Sequence, residues 1–318
     1  MTAKTSLDRW SERQGGVLAV LGSVNLDMVI RQPRLPRPGE TIFGHRLDRV
    51  PGGKGLNQAI AAARAGGQVA FLGRVGDDDV GPRLVELLAG EGVDVARLIA
   101  EPGLPTGVAQ VSVLDDGENA IVVAAGANDS ADWSMHDERL LATATAVIAQ
   151  LERPAELVRR AFRVARTRGV ITVLTPAPVT PEARTLLALV DVLLLNENEA
   201  KELAGDLDAT AAARELSRGS RLVVMTRGRG STLVAHDGAV VHEEPTLPTR
   251  VVDTTGAGDC FAGTLVARLA AGEPLEVAIR SATTAASLCV SRDGASASMP
   301  FWSEVRAELG RRPDQPRS

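Results

Sequence analysis

The stretch Val-Val-Asp-Thr-Thr-Gly-Ala-Gly-Asp-Cys-Phe-Ala-Gly-Thr, residues 251–264, limits what this chain can become more than any other. Gly256 and Gly258 bracket Ala257 and lead into Asp259, after which Cys260 to Ala270 reads as an apolar helix of small residues. A glycine turn that opens a helix aims several unpaired backbone N–H groups at one point, with the positive end of the helix dipole behind them. Such a place suits an anion. Asp259 carries the wrong charge for a pure anion site, yet it stands where it could take a proton from a hydroxyl. The pairing points to phosphoryl transfer to an alcohol. Aspartate is also a common helix cap and Gly-Ala-Gly an ordinary turn, so the stretch needs a context.

A second glycine cluster supplies it. Pro51-Gly52-Gly53-Lys54-Gly55-Leu56-Asn57 also runs straight into a small-residue helix, Gln58 to Ala65. Around the two clusters, short apolar runs alternate with longer helical stretches. The runs Val17 to Leu21, Val69 to Leu72, Ala146 to Ala149, Ile171 to Leu174, Val192 to Leu195 and Leu222 to Met225 read as buried strands. Helices are expected near Pro82 to Glu91, Pro154 to Arg168 and Ala209 to Arg218. This order argues for βαβ units around a parallel sheet. Just beyond four of the strands stand Glu152, Thr175, Asn196 and Thr226, at the edge where open α/β sheets bind ligands. After the first strand, Val24, Leu26, Met28 and Ile30 share one face of an extended segment, which leaves Ser23, Asn25 and Asp27 on the other. The pieces Glu40 to Val50 and Gly107 to Ala125, the latter built around the turn Asp115 to Asn119, read as a small second sheet, a lid.

Composition excludes several classes. A formal charge of −5 with scattered Lys and Arg gives no footprint for nucleic acid. No apolar run approaches the length of a membrane span, and no export leader is indicated. Cys260 and Cys289, the two cysteines, lie in small apolar helical stretches and read as buried reduced thiols, which fits a cytoplasmic protein. No Gly-x-x-x-x-Gly-Lys-Ser/Thr occurs, and neither cluster has the Gly-x-Gly-x-x-Gly spacing of a dinucleotide site.

With both glycine clusters, Asn25-Leu26-Asp27 and Asn196-Glu197-Asn198-Glu199 in order, the chain resembles the ribokinase-like (PfkB) family of sugar kinases from about Val17 to about Trp302. The resemblance implies a three-layer α/β fold with a central, mostly parallel sheet and a small β-sheet lid. It places one kinase domain at 17–309, with lid strands from about 23–53 and 105–126, between a flexible extension 1–16 and a flexible tail 310–318. It implies a homodimer through the lid, and an ATP-dependent transfer of the γ-phosphoryl group to the O5 hydroxyl of D-ribose. Asp259 is then the base and the amides of Gly256, Ala257 and Gly258 the anion hole. Asn25, Asp27, Gly52, Gly53, Asn57 and Glu152 would hold the sugar. Asn196, Glu199, Thr226, Arg227, Gly228, Arg229, Gly230, Ser231, Gly258 and Thr283 would serve the nucleotide, the first two tuning Mg²⁺ through water. Asp253, Thr255, Cys289, Arg292, Gly294 and Ser298 match positions that ligate K⁺, largely through backbone carbonyls.

Plainer readings stand beside these. Asn196 and Glu199 fit a helix cap, Asp253 a turn, and residues 226–231 a strand connection. Lys54 reads as a lid or surface charge. Thr175 departs from the Asn before proline that such kinases often carry, which leaves a different ketose, a deoxy sugar or a nucleoside as alternative acceptors. The absence of Tyr, with only five Phe and three Trp, speaks against base recognition. A non-catalytic sugar-binding regulator would be expected to have lost Asp259 or the glycines, and both are present.

Overall fold

The computed structural model describes residue 10 and residues 13–116, 118–219 and 221–311. The extension 1–16 and tail 310–318 expected above lie largely outside the described residues, as does Gly117 of the lid turn.

The chain opens with strands β1 (Leu18–Leu21), β2 (Asn25–Gln32) and β3 (Arg46–Gly52), then helix α1 (Lys54–Arg64). Next come β4 (Val69–Gly76), α2 (Gly81–Gly90), β5 (Asp94–Glu101), β6 (Gly107–Leu114) and β7 (Asn119–Ala124). The central part runs α3 (Met135–Thr143), β8 (Ala146–Ala149), α4 (Ala155–Thr167), β9 (Ile171–Leu174), α5 (Ala183–Leu186), β10 (Val192–Asn196), α6 (Glu197–Ala204) and α7 (Ala209–Leu216). It ends with β11 (Leu222–Thr226), β12 (Thr232–His236), β13 (Ala239–Glu244), α8 (Ala257–Ala270), α9 (Leu275–Cys289) and α10 (Trp302–Arg311).

Nine strands form one sheet in the order β13-β12-β11-β10-β9-β8-β1-β4-β5, parallel from β11 to β5 and antiparallel where β12 joins. Because side chains alternate along a strand, each central strand feeds two cores. Leu18 and Val20 face the layer of α1, α8 and α9, whereas Ala19 and Leu21 face α4 and its neighbours. Val224 and Val223 divide in the same way on β11. The three-layer α/β expectation holds. Small residues let the helices on the first face approach closely: a Cβ placed on Gly263 would come within 2.4 Å of the Gln58 carbonyl and 2.7 Å of Ala61. The α1–α8 contact therefore admits only glycine there.

The lid is a separate sheet ordered β3-β2-β6-β7. β2 pairs antiparallel with β3 and parallel with β6, and β7 closes antiparallel on β6, so the two extended regions expected as a lid share one sheet but are joined through β2 rather than paired directly. β5, β12 and β13 were not expected; each extends the main sheet toward an edge.

Candidate active site

α8 begins just after Gly256, whose φ of 73° is a left-handed conformation that glycine adopts without strain. No side chain caps this end. The Ala257 N–H reaches the Thr254 carbonyl at 3.2 Å, and the helix itself offers no acceptor to the N–H groups of Gly258 and Asp259. These groups open into a cleft of about 230 Å³ whose lining includes Lys54, Gln58, Thr175, Asn196, Glu199 and Asp259. A wider cavity of about 690 Å³ continues from it past Thr226, Arg227, Gly228, Arg229 and Thr283. Thr226, Thr254, Ala257, Gly258 and Phe261 line both.

Asp259 is gripped from α1. Gln58 Nε2 donates to its Oδ1 at 2.9 Å and Asn57 Nδ2 to its Oδ2 at 3.2 Å. Burial pushes this carboxyl up to about 6, against the nearby Lys54 ammonium and the Gln58 hydrogen bond, which hold it down. Lys54 corrects the sequence reading. Its side chain is not a free surface charge but lines the cleft, where burial opposes its charge and the carboxylates of Asp259, Glu152, Glu199 and Asp27 more than offset that cost, holding the ammonium above the usual lysine range. The reading failed because a lysine beside two glycines looks exposed in one dimension, while the carboxylates that surround it come from distant parts of the chain.

The expected sugar residues come together at the start of α1. Gly53, with φ 94°, is the helix N-cap residue and lies against the backbone of Ser23 and Asn25. Glu152 Oε2 accepts from Ser23 Oγ at 2.5 Å and from the Lys54 N–H at 3.0 Å. Asn25 is buried, and its Oδ1 accepts from Asn128 Nδ2 at 2.7 Å, while Asn128 also bonds both backbone groups of Val24. Asp27 is the least satisfied of the group: its buried Oδ1 has no partner. Burial first, then the Glu152 and Asp259 carboxylates, push Asp27 up to about 7. Gly52 makes room for the carboxylate itself, since a Cβ there would stand 2.1–2.2 Å from the Asp27 carboxylate atoms. A buried carboxylate oxygen without a partner is what a hydroxyl-bearing ligand would complete.

Other positions divide. Asn196 and Glu199 line the cleft but also make a reciprocal cap, the Glu199 N–H donating to Asn196 Oδ1 and the Asn196 N–H to Glu199 Oε2, both at 2.9 Å. Burial raises the Glu199 carboxyl. Thr226, Arg227, Gly228, Arg229 and Thr283 line the wider cavity, whereas Gly230 and Ser231 close the turn behind it, Ser231 O accepting from Arg227 Nε at 2.8 Å. Asp253 does serve a turn, accepting from the Thr255 N–H at 2.9 Å, and it also takes the Gly294 N–H at 3.0 Å, which ties the 253–255 segment to the loop after α9. Cys289, the last residue of α9, sets its Sγ 2.9 Å from Ser298 Oγ, and Arg292 in the loop pairs with Glu304 at 2.6 Å. Both cysteines are free and buried. No group of three or more His, Cys, Asp or Glu side chains among the described residues could hold a metal by itself, and no helix among them is long and apolar enough to cross a membrane. Sequence reasoning missed Ser23 as a Glu152 partner, and Gln58, Gln150 and Asn128 altogether; buried amides leave no periodic signal.

The pfkB family carbohydrate kinase domain matches residues 17–302. The ribokinase of Haemophilus influenzae is 36% identical over 296 residues, covering 91% of this chain and 96% of that one. Among solved structures, Arabidopsis thaliana ribokinase complexed with ribose and ATP superposes with a TM-score of 0.85 at 31% identity, over 92% of this chain and 98% of that one. Ribokinase from Cryptococcus neoformans in complex with ADP gives 0.81 at 33% identity, over 93% and 100%. With the glycine-opened helix, the gripped aspartate and the lid in place, the chain belongs to the pfkB family of carbohydrate kinases.

Proposed function

We propose that this kinase transfers the γ-phosphoryl group of ATP to the O5 hydroxyl of D-ribose, giving D-ribose 5-phosphate. The observation that carries the reading is one cleft holding Asp259 at an uncapped helix N-terminus within electrostatic reach of Asp27, whose carboxylate lacks a partner. The Arabidopsis relative, seen with ribose and ATP, supports the choice of both substrates. In the reaction the O5 proton passes to the Asp259 carboxylate as the O5–Pγ bond forms, the bond from Pγ to the bridging oxygen breaks, and ADP departs. The amides of Gly256, Ala257 and Gly258 and the Lys54 ammonium stabilise the charge on the moving group. ATP would lie along Thr226, Arg227, Gly228, Arg229 and Thr283, with Asn25, Asp27, Gly52, Gly53, Asn57 and Glu152 on the sugar.

Asn196 and Glu199, spent in part on each other, suit a hydrated Mg²⁺ that takes its inner ligands from phosphate and water. Bound there, Mg²⁺ supplies charge neutralisation on the ATP oxygens. Asp253, Thr255, Cys289, Arg292, Gly294 and Ser298 would offer mainly backbone carbonyls to K⁺, and the Asp253–Gly294 bond already joins the two segments. We expect K⁺ to raise kcat with little change in either KM, by firming the loop that aims the Gly256–Gly258 amides. Equal rates in potassium and tetramethylammonium chloride at fixed ionic strength would remove this site.

Sugar recognition makes a pH prediction. A carboxylate accepting hydroxyl hydrogens must be ionised, and Asp27 sits near 7 in the free protein. KM for ribose should therefore fall as pH rises through about 7, and Asp27→Ala should raise it by roughly ten- to hundredfold, remove that pH dependence and leave KM for ATP unchanged. Steady-state kinetics from pH 5.5 to 8.5 on both proteins checks this; an unchanged ribose KM in Asp27→Ala would contradict it. Free ribose should also outrun sugar phosphates, since Asp27 and Glu152 repel a second phosphate.

The lid supports a homodimer. Its outer strands, β3 and β7, expose Leu47, Ile121, Val122 and Val123, and an open apolar edge of this kind is commonly covered by a second copy. Two buried free thiols fit a reducing compartment such as the cytoplasm.

A further inference from the structure

Asp259 accepts from two amides, and one of them, Gln58, has no part in the proposed chemistry. Gln58, 1% exposed, sits where α1 and α8 come closest: its backbone carbonyl is the atom that forbids a side chain at Gly263. Gly263 lies one turn beyond Asp259 on the same face of α8, so the Gln58 side chain runs from the crossing point to the carboxylate along a path both helices fix. Its amide is fully committed. One N–H donates to Asp259 Oδ1 at 2.9 Å, the other to Thr175 Oγ1 at 3.0 Å, and its oxygen accepts from Gln150 Nε2 at 2.6 Å.

Gln150, just past β8, is equally buried, and its own oxygen finds no partner. Leaving a buried acceptor unsatisfied costs stability, so an apolar side chain would serve folding better. What the amide supplies is direction. With Gln150 donating to its oxygen, Gln58 can present only N–H groups to Asp259; turned over, it would set oxygen against carboxylate and NH₂ against NH₂. The two Asp259 oxygens then differ. Oδ1 is held by a side chain with no other role, while Oδ2 has the longer bond to Asn57, a residue the proposed function gives to the sugar.

We propose that Gln58, locked in orientation by Gln150 and Thr175, is a positioning residue that holds Oδ1 of Asp259 and reserves Oδ2 for the substrate hydroxyl. The proposal rests on Asp259 being the base. Removing the bond lets the carboxylate rotate and withdraws a donor that favours its ionised form, so both turnover and its pH dependence must respond.

Gln58→Met and Gln150→Met keep length and burial while deleting the amides. For Gln58→Met the expected result is a kcat lower by about ten- to hundredfold, KM for ribose and ATP within about threefold of the parent, and an acid limb of the kcat profile moved up by about one pH unit. Gln150→Met should shift kcat and the limb the same way by less. Melting temperature, followed in parallel, separates a structural role. A folded Gln58→Met protein with parental kcat and limb would overturn the proposal, as would a lower melting temperature with an unmoved limb. Asp259→Asn, assayed alongside, tells the two readings apart: an inactive Asp259→Asn beside a parental Gln58→Met sinks the positioning role alone, whereas an active Asp259→Asn sinks the base.

Discussion

Asp259→Asn should fold, bind ATP as the parent does, and lose about a hundredfold or more in kcat. The amide keeps the shape of the carboxylate; its oxygen can still accept from Gln58, and its NH₂ can donate to Asn57 once that side chain turns its unpartnered oxygen round, so packing changes little. What it cannot do is accept the O5 proton. Without a base, the hydroxyl must attack while still protonated, and only positioning and charge stabilisation remain to lower the barrier, which sets the size of the loss. The same group sets a pH signature. Burial holds Asp259 near 6, so the protein should lose kcat as pH falls through about that value, when the carboxyl takes up a proton before the substrate can offer one. Calorimetric ATP binding and steady-state turnover of both proteins check the pair of expectations. Near-parental turnover by a folded Asp259→Asn would mean that the proton leaves by another route.

Lys54→Met should cost about a hundredfold in kcat as well, through a different cause. The ammonium is the positive charge that Asp259, Glu152, Glu199 and Asp27 all feel, in the cleft where the helix N-terminus opens. A phosphoryl group in transfer spreads negative charge over its oxygens, and a pre-placed cation meets that charge without reorganising. Methionine fills the same volume and removes it. Two consequences separate this variant from a loss of fold. Asp259 loses a neighbour that holds its carboxyl down, so the acid limb of kcat should move to higher pH. Lys54→Arg should recover part of the rate, since charge returns in a wider group. A Lys54→Met protein with parental kcat and an unmoved limb would remove Lys54 from the chemistry.

Lys54 also shows where the sequence stops being readable. The central strands announce themselves because both faces are covered: Val192, Leu193, Leu194 and Leu195 are all buried, so the run is continuous and apolar. β5 and β13 are edge strands with one side toward solvent, and Asp94, Arg97 and Glu101 or His242 and Glu243 break up the apolar signal. The glycine–aspartate stretch is legible because its geometry is local; Gly256, Gly258 and Asp259 belong to one turn and the start of one helix. The residues that grip Asp259 are not local. Gln58 lies 201 residues away from it in sequence, and Asn128 lies 103 from Asn25, so only the folded chain makes those amides neighbours. Asn196 and Glu199 make a different point, since the capping pattern and the cleft position hold together and neither reading displaces the other.

The identity of the acceptor atom is the central claim, and ³¹P and ¹³C NMR of the products formed from ATP and D-ribose reads it directly. The expected outcome is ADP and a phosphomonoester whose phosphorus couples to C5 and its two protons, formed faster than from deoxyribose, fructose or any sugar phosphate. An ester at C1, transfer only to a sugar already phosphorylated, or no transfer from ATP to any free sugar would contradict it.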